Sequence, residues 1–330
     1  MHQIELIRKN TFSNKIIIID GQGRSGKNLI SILLSTMKNV EKMRLDSQFD
    51  LIPRYFQLGK MSKDAALTAL RLEADEKLFY MMIGRDVNFR FRDYSGVFKQ
   101  GQVIKYFKRI FFTSDDEAYK QIINSGTIFQ EMTHDGLSFI NLYFEAFKER
   151  LLFIHIFRDP VANIIEQNKR GLGTRIGTDP KELQLTYVWN GQSIPLNALG
   201  LEEDYIKANP IERLVLMVDA CFRNNLNGYL SLDNVHKKNI LFLEFEDFVT
   251  NTTENMALLE NFTGQLFGNS KKRIMKREKC PRIINPEDRK SRIDEINNAI
   301  SEKYKLIFDK LITDYDTRIW NEWNKNYIIK

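Results

Sequence analysis

Cysteine is nearly absent, with only Cys221 and Cys280 in 330 residues. Two thiols cannot build a multi-bridge scaffold, so a reducing compartment, the cytoplasm, is the expected setting. Histidine is also scarce: His2, His134, His155 and His236 stand isolated, without the spacing of a metal site, and no metal is expected. No stretch approaches ~20 apolar residues, which excludes a membrane-spanning helix, and the opening MHQIELIRKN has no signal-peptide core. There is no internal repeat and no low-complexity block, and proline numbers only seven. With 43% hydrophobic and 28% charged residues, the composition excludes disordered and collagen-like chains. The abundance of Lys, Ile and Asn fits an AT-rich, bacterial genome.

The chain carries 49 basic and 43 acidic residues, a net charge of +6. Its placement matters more than its size. Residues 271–292 (KKRIMKREKCPRIINPEDRKSR) hold ten basic and three acidic side chains, while the remainder balances at 39 against 40. The excess is one segment and not a coat, so nucleic acid is not an expected partner.

Short continuous apolar runs at Lys15–Asp20 (KIIIID), Leu151–Phe157 (LLFIHIF) and Ile240–Phe245 (ILFLEF) suit strands buried on both faces of a parallel sheet. A weaker run, Thr127–Met132, precedes a helical stretch over Leu137–Arg150. Helices are expected after the other strands, at Val161–Arg170 and Thr252–Phe262. This alternation predicts an α/β fold, a three-layer α/β/α sandwich with a mostly parallel sheet. Two segments break it: residues 40–126, with a helix at Ser62–Met82 and a basic-aromatic part at 85–112, and the polar, turn-rich residues 171–209. They read as excursions from one domain spanning 1–330, of the kind that form lids or walls around a site. Within 85–112 the alternation NFRFRD suggests a half-exposed strand.

The strongest motif is Gly21-Gln22-Gly23-Arg24-Ser25-Gly26-Lys27-Asn28, set between a strand and a helix. Glycines let successive backbone N–H groups face one point, and the helix N-terminus adds its positive end. Gly23, Arg24, Ser25, Gly26, Lys27 and Asn28 are the candidate phosphate contacts, with Arg24 and Lys27 as mobile charge. The pattern satisfies G-x-x-x-x-G-K but ends in Asn28, where a metal-binding loop carries a hydroxyl. The loop therefore suits a phosphate-bearing donor that needs no metal. Arg158, at the carboxyl end of a buried strand and before Pro160, offers a planar fork for a second phosphate.

At these residues the chain resembles the sulfotransferases that use 3′-phosphoadenosine 5′-phosphosulfate (PAPS). Arg24-Ser25-Gly26-Lys27-Asn28 is similar to that family's RSGTT loop, and Arg158-Asp159-Pro160 to its R-[DN]-P motif. Phe129–His134 (FQEMTH) resembles its EKTP or KTH segment, and Leu243–Phe248 (LEFEDF) its YEDL segment. The four matches keep the family's order and cover roughly a quarter of the chain. The resemblance implies a P-loop nucleoside triphosphate hydrolase-like fold, PAPS as donor, adenosine 3′,5′-bisphosphate as product, and a hydroxyl acceptor such as a glycan or small metabolite. Lys27 and Asn28 replace the Thr-Thr pair, Met132 replaces a Lys, and Glu166 stands where the family has a phosphate-binding Ser. A carboxylate there would repel the donor unless it meets Lys169 or Arg170, which are taken as further donor contacts.

Transfer to a hydroxyl requires in-line approach, a base, and stabilisation of the leaving phosphate. Glu131 and His134 are the base candidates, with Glu131 preferred from its place in the EKTP-like match. Lys27 is expected to assist catalysis from the loop. His155 reads as a hydrogen-bonded core residue and Glu246-Asp247 as a helix cap. By its chain position, Lys271–Arg282 is a candidate clamp over the donor's 3′-phosphate. Two other readings remain open from the residues: a P-loop kinase using ATP and Mg²⁺, and a non-catalytic nucleotide-binding protein.

Overall fold

The computed structural model describes residues 4–43, 46–93, 95–100 and 102–324. His2 lies outside these, as do Arg44, Leu45, Tyr94 and Gly101 of the first excursion. Among the described residues there are six strands: β1 (Lys15–Asp20), β2 (Ile128–Met132), β3 (Leu151–Phe157), β4 (Thr186–Trp189), β5 (Gln192–Pro195) and β6 (Ile240–Glu244). Four of them form one parallel sheet in the order β2-β1-β3-β6.

The apolar runs explain the layering. In β1, Ile16 and Ile18 belong to one hydrophobic cluster and Ile17 and Ile19 to another, all fully buried. In β6, Ile240 and Phe242 face the first cluster, Leu241 and Leu243 the second. Because successive side chains point to opposite faces, a strand covered on both sides must be apolar at every position. The second face is covered by helix α1 (Lys27–Leu34), the helix Thr252–Thr263 and, through Ile274, the short helix Lys271–Arg277. The first face carries α2 (Gln48–Gln57), α3 (Lys63–Met82) and the helices Ile140–Phe147, Pro210–Leu230 and Glu302–Asp316. The result is the α/β sandwich that the alternation of strands and helices predicts.

Several boundaries have local causes. Pro160 opens the helix Pro160–Asn168, where its missing N–H costs nothing, and Asp159 caps it by accepting from Val161 N. The expected helix over Leu137–Arg150 is interrupted, with α-helix only at Ile140–Phe147 between two 3₁₀ turns. The strand expected at NFRFRD does not form. Asn88 instead builds turns, accepting from Arg90 N on its side chain and from Val97 N on its carbonyl, which takes the place of a ladder. Helix Val103–Phe112 follows. The second excursion contains a hairpin, β4–β5, closed by Asn190 and Gly191 at φ 45° and 76°. An Asn-Gly pair is the sequence that adopts such left-handed turns most readily.

At the carboxyl edge of the sheet, one buried carboxylate gathers three strands. Asp20 ends β1 and accepts from Thr133 Oγ1 (2.9 Å) and Gly136 N (2.7 Å) on one oxygen. Its other oxygen accepts from Leu137 N (3.0 Å) and lies 2.7 Å from His155 Nδ1 on β3. Burial alone would raise its pKa, but the His155 bond and charge, the Lys27 charge and the Gly136 N–H outweigh burial and hold it below the usual carboxylate range. Asp20→Asn would turn an amide NH₂ toward two of these donors. Urea unfolding should show a loss of about 3 kcal/mol. A loss under about 1 kcal/mol, the worth of one ordinary hydrogen bond, would contradict this role.

Candidate active site

The glycine loop lies between β1 and α1, as its sequence demands. Gly21 (φ 145°) and Gly26 (φ 94°) take backbone conformations closed to most residues, and a Cβ on Gly26 would fall 2.1 Å from the Phe245 ring. Among the described residues no side chain caps α1, so the N–H groups of its first turn, beginning at Lys27 and Asn28, point out of the helix uncapped. Ser25 Oγ and Asn28 Oδ1 are buried without a hydrogen-bond partner among the described residues. Asn163 Nδ2 donates to Gly23 O (2.9 Å) and steadies the loop from the helix that follows β3.

Lys27 differs from its expected role as mobile charge. Its side chain is buried, and Nζ donates to Gly21 O and to Thr133 O, the latter at 2.6 Å. Burial lowers its pKa, and Asp20, Asp50 and Asp135 oppose that fall. The ammonium thus ties the loop to the end of β2. Arg24 is exposed at φ 69° and keeps the reach expected of it, 3.5 Å from Glu166.

Arg158, just beyond β3, donates from Nη1 to Arg24 O, so the strand end and the loop touch. Its guanidinium stands 5.0 Å over the Phe245 ring and 3.6 Å from Glu246 Oε1, while Nε is buried without a hydrogen bond. Burial lowers its pKa; Glu246 and Glu166 oppose this, and Arg24 and Arg292 add to it. Arg24, Arg158 and Arg292 thus bring positive charge to one point, a candidate anion site. Glu166 does not aim a bare carboxylate at this point. Lys169 binds it at 2.7 Å and Arg24 lies near, and the Lys169 bond is the chief cause of its lowered pKa. Arg170 is exposed beyond the same helix. Glu246 accepts from Asp159 N (3.1 Å), while Asp247 holds Asn251 and Asn255.

A cleft of about 530 Å³ opens beside the loop, lined by Gln22 and Gly23, by Asp50 and Arg54 of α2, and by His134. Leu172, Ile176, Leu183 and Leu185 of the second excursion wall the other side. His134 is half-exposed here. Asp50 accepts from its backbone N (2.6 Å) and lies 2.9 Å from Nδ1. A carboxylate on Nδ1 fixes the tautomer with its lone pair on Nε2, the arrangement of a general base.

Glu131, the preferred base from sequence, is placed otherwise. It is fully buried within β2 and ion-paired to Lys77 of α3 at 3.0 Å. Its carboxylate is buried against Lys77 and does not line the cleft that His134, two residues past the strand end, borders. The basic segment also divides. Lys271–Arg277 is a helix docked on α1 through Ile274, with Lys271 near Glu260. The residues that approach Arg158 lie later: Arg282 stands 5.6 Å over Phe245, Arg289 binds Asp159 at 2.9 Å, and Arg292 adds its charge.

No protein-family model matches the chain, and no curated protein matches it. Among solved structures, it is similar to the sulfotransferase domain of the Synechococcus PCC 7002 olefin synthase, at 12% identity and a TM-score of 0.46 over 95% of this chain and 98% of that one. It is similar to the sulfotransferase domain of the curacin biosynthetic pathway at 13% identity and a TM-score of 0.45, covering 78% and 76%. Sulfotransferase STF9 of Mycobacterium avium follows at 12% identity and a TM-score of 0.38, covering 88% and 78%. All three are sulfotransferases. The likeness is loose, and the function must be read from the residues of the site.

Asp50, Arg54 and Asn163 carry no motif and escape sequence reasoning. Asp50 lies 84 positions before its partner His134, a separation no local pattern reports. Asp20, by contrast, is signalled by its place: an acid closing an apolar run must find buried donors.

Burial pushes the Glu131 pKa up from 4.5 to about 7, with Lys77 only partly opposing. Between those values the folded chain holds a proton that the unfolded chain has lost. The contribution of Glu131 to stability is therefore fully present below about 4.5 and is lost as pH rises through about 7. Melting temperatures across this range should fall more steeply with rising pH for wild type than for Glu131→Gln, in which Lys77 keeps Asp46 and Glu73. Parallel curves would show that Glu131 ionises normally.

Proposed function

We propose that the chain is a sulfotransferase that moves a sulfuryl group, without a metal, from PAPS to the hydroxyl of a small, partly apolar acceptor. One observation supports the reading: the uncapped glycine loop after β1 touches the guanidinium of Arg158 after β3 and borders the cleft, so the two would serve as adjoining anion sites. A nucleotide with phosphates on both its 5′ and 3′ positions presents two anions to match. Asn28 supplies no hydroxyl for Mg²⁺, which separates this reading from the kinase one. A cytoplasmic setting fits both the donor and the two free thiols.

In the proposed reaction the acceptor oxygen approaches sulfur in line with the bond to the 5′-phosphate. The S–O bond to that phosphate breaks as the new S–O bond forms, and the acceptor's proton passes to His134 Nε2. Asp50 steadies the resulting imidazolium. Negative charge gathering on the departing adenosine 3′,5′-bisphosphate is met by the N–H groups that open α1 and by Arg24. Arg158, joined by Arg282 and Arg292, takes the 3′-phosphate. The apolar wall of Leu172, Ile176, Leu183 and Leu185 favours a small metabolite over a glycan.

Calorimetry tests the donor assignment. Arg158→Ala should weaken adenosine 3′,5′-bisphosphate by about tenfold or more and leave adenosine 5′-phosphosulfate, which lacks the 3′-phosphate, nearly unchanged. Equal losses, or tighter binding of ATP with Mg²⁺ by wild type, would overturn it. For the base, a screen of alcohols with sulfur-labelled donor supplies an acceptor. With it, His134→Asn should lower kcat by about 100-fold while bisphosphate affinity holds. Unchanged kcat would remove His134 from the reaction.

A further inference from the structure

Helix Val103–Phe112 (VIKYFKRIFF) is amphipathic, yet it is docked inside out. Its polar residues turn inward: Tyr106 and Arg109 are buried and both engage the buried carboxylate of Glu41, Arg109 at 2.9 Å. Its apolar residues Ile104, Phe107, Phe111 and Phe112 are each more than half exposed. Residues four and seven apart share a helix face, so Ile104, Phe107, Phe111 and the exposed Lys108 form a single outward surface.

This surface continues off the helix. Ring centroids link Phe111 to Phe107 (5.1 Å), Phe107 to Phe89 (6.4 Å), Phe89 to Phe98 (6.3 Å) and Phe98 to Phe91 (5.5 Å). Contiguous aromatic exposure of this extent on a folded chain marks a contact site. The charge around it has one dominant sign. Within residues 85–112, Lys105 and Arg109 pair with Glu41, which leaves Arg85, Arg90, Arg92, Lys99 and Lys108 against two acidic side chains, Asp86 and Asp93. Arg90, Arg92 and Lys108 are exposed among the rings. The acidic run Asp115–Glu117 belongs to the next helix, where Glu117 folds back on Ser114 in a capping box.

We propose that this phenylalanine surface docks on an anionic membrane, the rings entering the interface and the interleaved cations meeting lipid phosphates. Apolar rings with neighbouring Lys and Arg are the composition of interfacial anchors, and charge complementarity selects a negatively charged leaflet over a protein surface of mixed sign. The inference is independent of the catalytic reading, since none of these residues lines the cleft.

Vesicle flotation of the full chain tests it. Phosphatidylcholine vesicles containing a quarter phosphatidylglycerol should bind about tenfold more strongly than phosphatidylcholine alone, and added salt should reduce the difference. The pair Phe107→Ser with Phe111→Ser should abolish binding, and Arg92→Glu with Lys108→Glu should remove the preference for anionic lipid. Far-UV circular dichroism checks that both variants fold. Absence of binding to anionic vesicles, or binding that survives loss of both phenylalanines, would overturn the proposal. So would a dimer in sedimentation that Phe107→Ser with Phe111→Ser dissociates, since that outcome gives the surface to a second copy.

Discussion

Asp20 accepts hydrogen bonds from the segment after β2 and from β3 while itself ending β1, so one carboxylate fixes three strand ends against one another. Removing a charge from water costs several kcal/mol, and the cost is offset here only because every donor around it is in place. The rest of the site hangs from this arrangement. The glycine loop begins one residue after Asp20, His134 one residue after Thr133, and Arg158 three residues after His155. Three candidate groups remote in sequence thus share one rigid frame, as the proposed in-line transfer would require.

The cations of the site are held in partial pairings. Arg24 leans on Glu166, Arg158 on Glu246, and Arg289 on Asp159. Such contacts keep long side chains near their working positions and, being partial, leave positive charge for an incoming anion. Glu166 shows how a carboxylate is tolerated where the resembled family uses a hydroxyl: neutralised by Lys169, it holds Arg24. Lys27 plays an architectural part, joining the loop to Thr133 from beneath.

The layers were legible in the sequence because a fully buried parallel strand needs an unbroken apolar run, and KIIIID, LLFIHIF and ILFLEF have no other good explanation. The loop and Arg158 were legible because each stands where a strand of an open sheet ends. What was not legible depended on side-chain environment or long-range pairing. Glu131 matched a motif position, and its burial against Lys77 is not visible in the sequence. NFRFRD alternates like a strand, but the turns built by Asn88 pre-empt pairing. His134 gains its orientation from Asp50, in an excursion whose fold no motif marks. The basic cluster at 271–292 was visible as charge, but only its later residues approach Arg158, since Ile274 commits the earlier ones to α1.

The central claim is that the carboxyl edge of the sheet is a paired anion site for a bisphosphorylated nucleotide. A crystal structure of the chain with adenosine 3′,5′-bisphosphate tests it most directly. The account predicts the 5′-phosphate on the N–H groups that open α1, beside Arg24, and the 3′-phosphate within hydrogen-bond distance of Arg158. A nucleotide bound elsewhere, or one whose 3′-phosphate faces solvent away from Arg158, would contradict it.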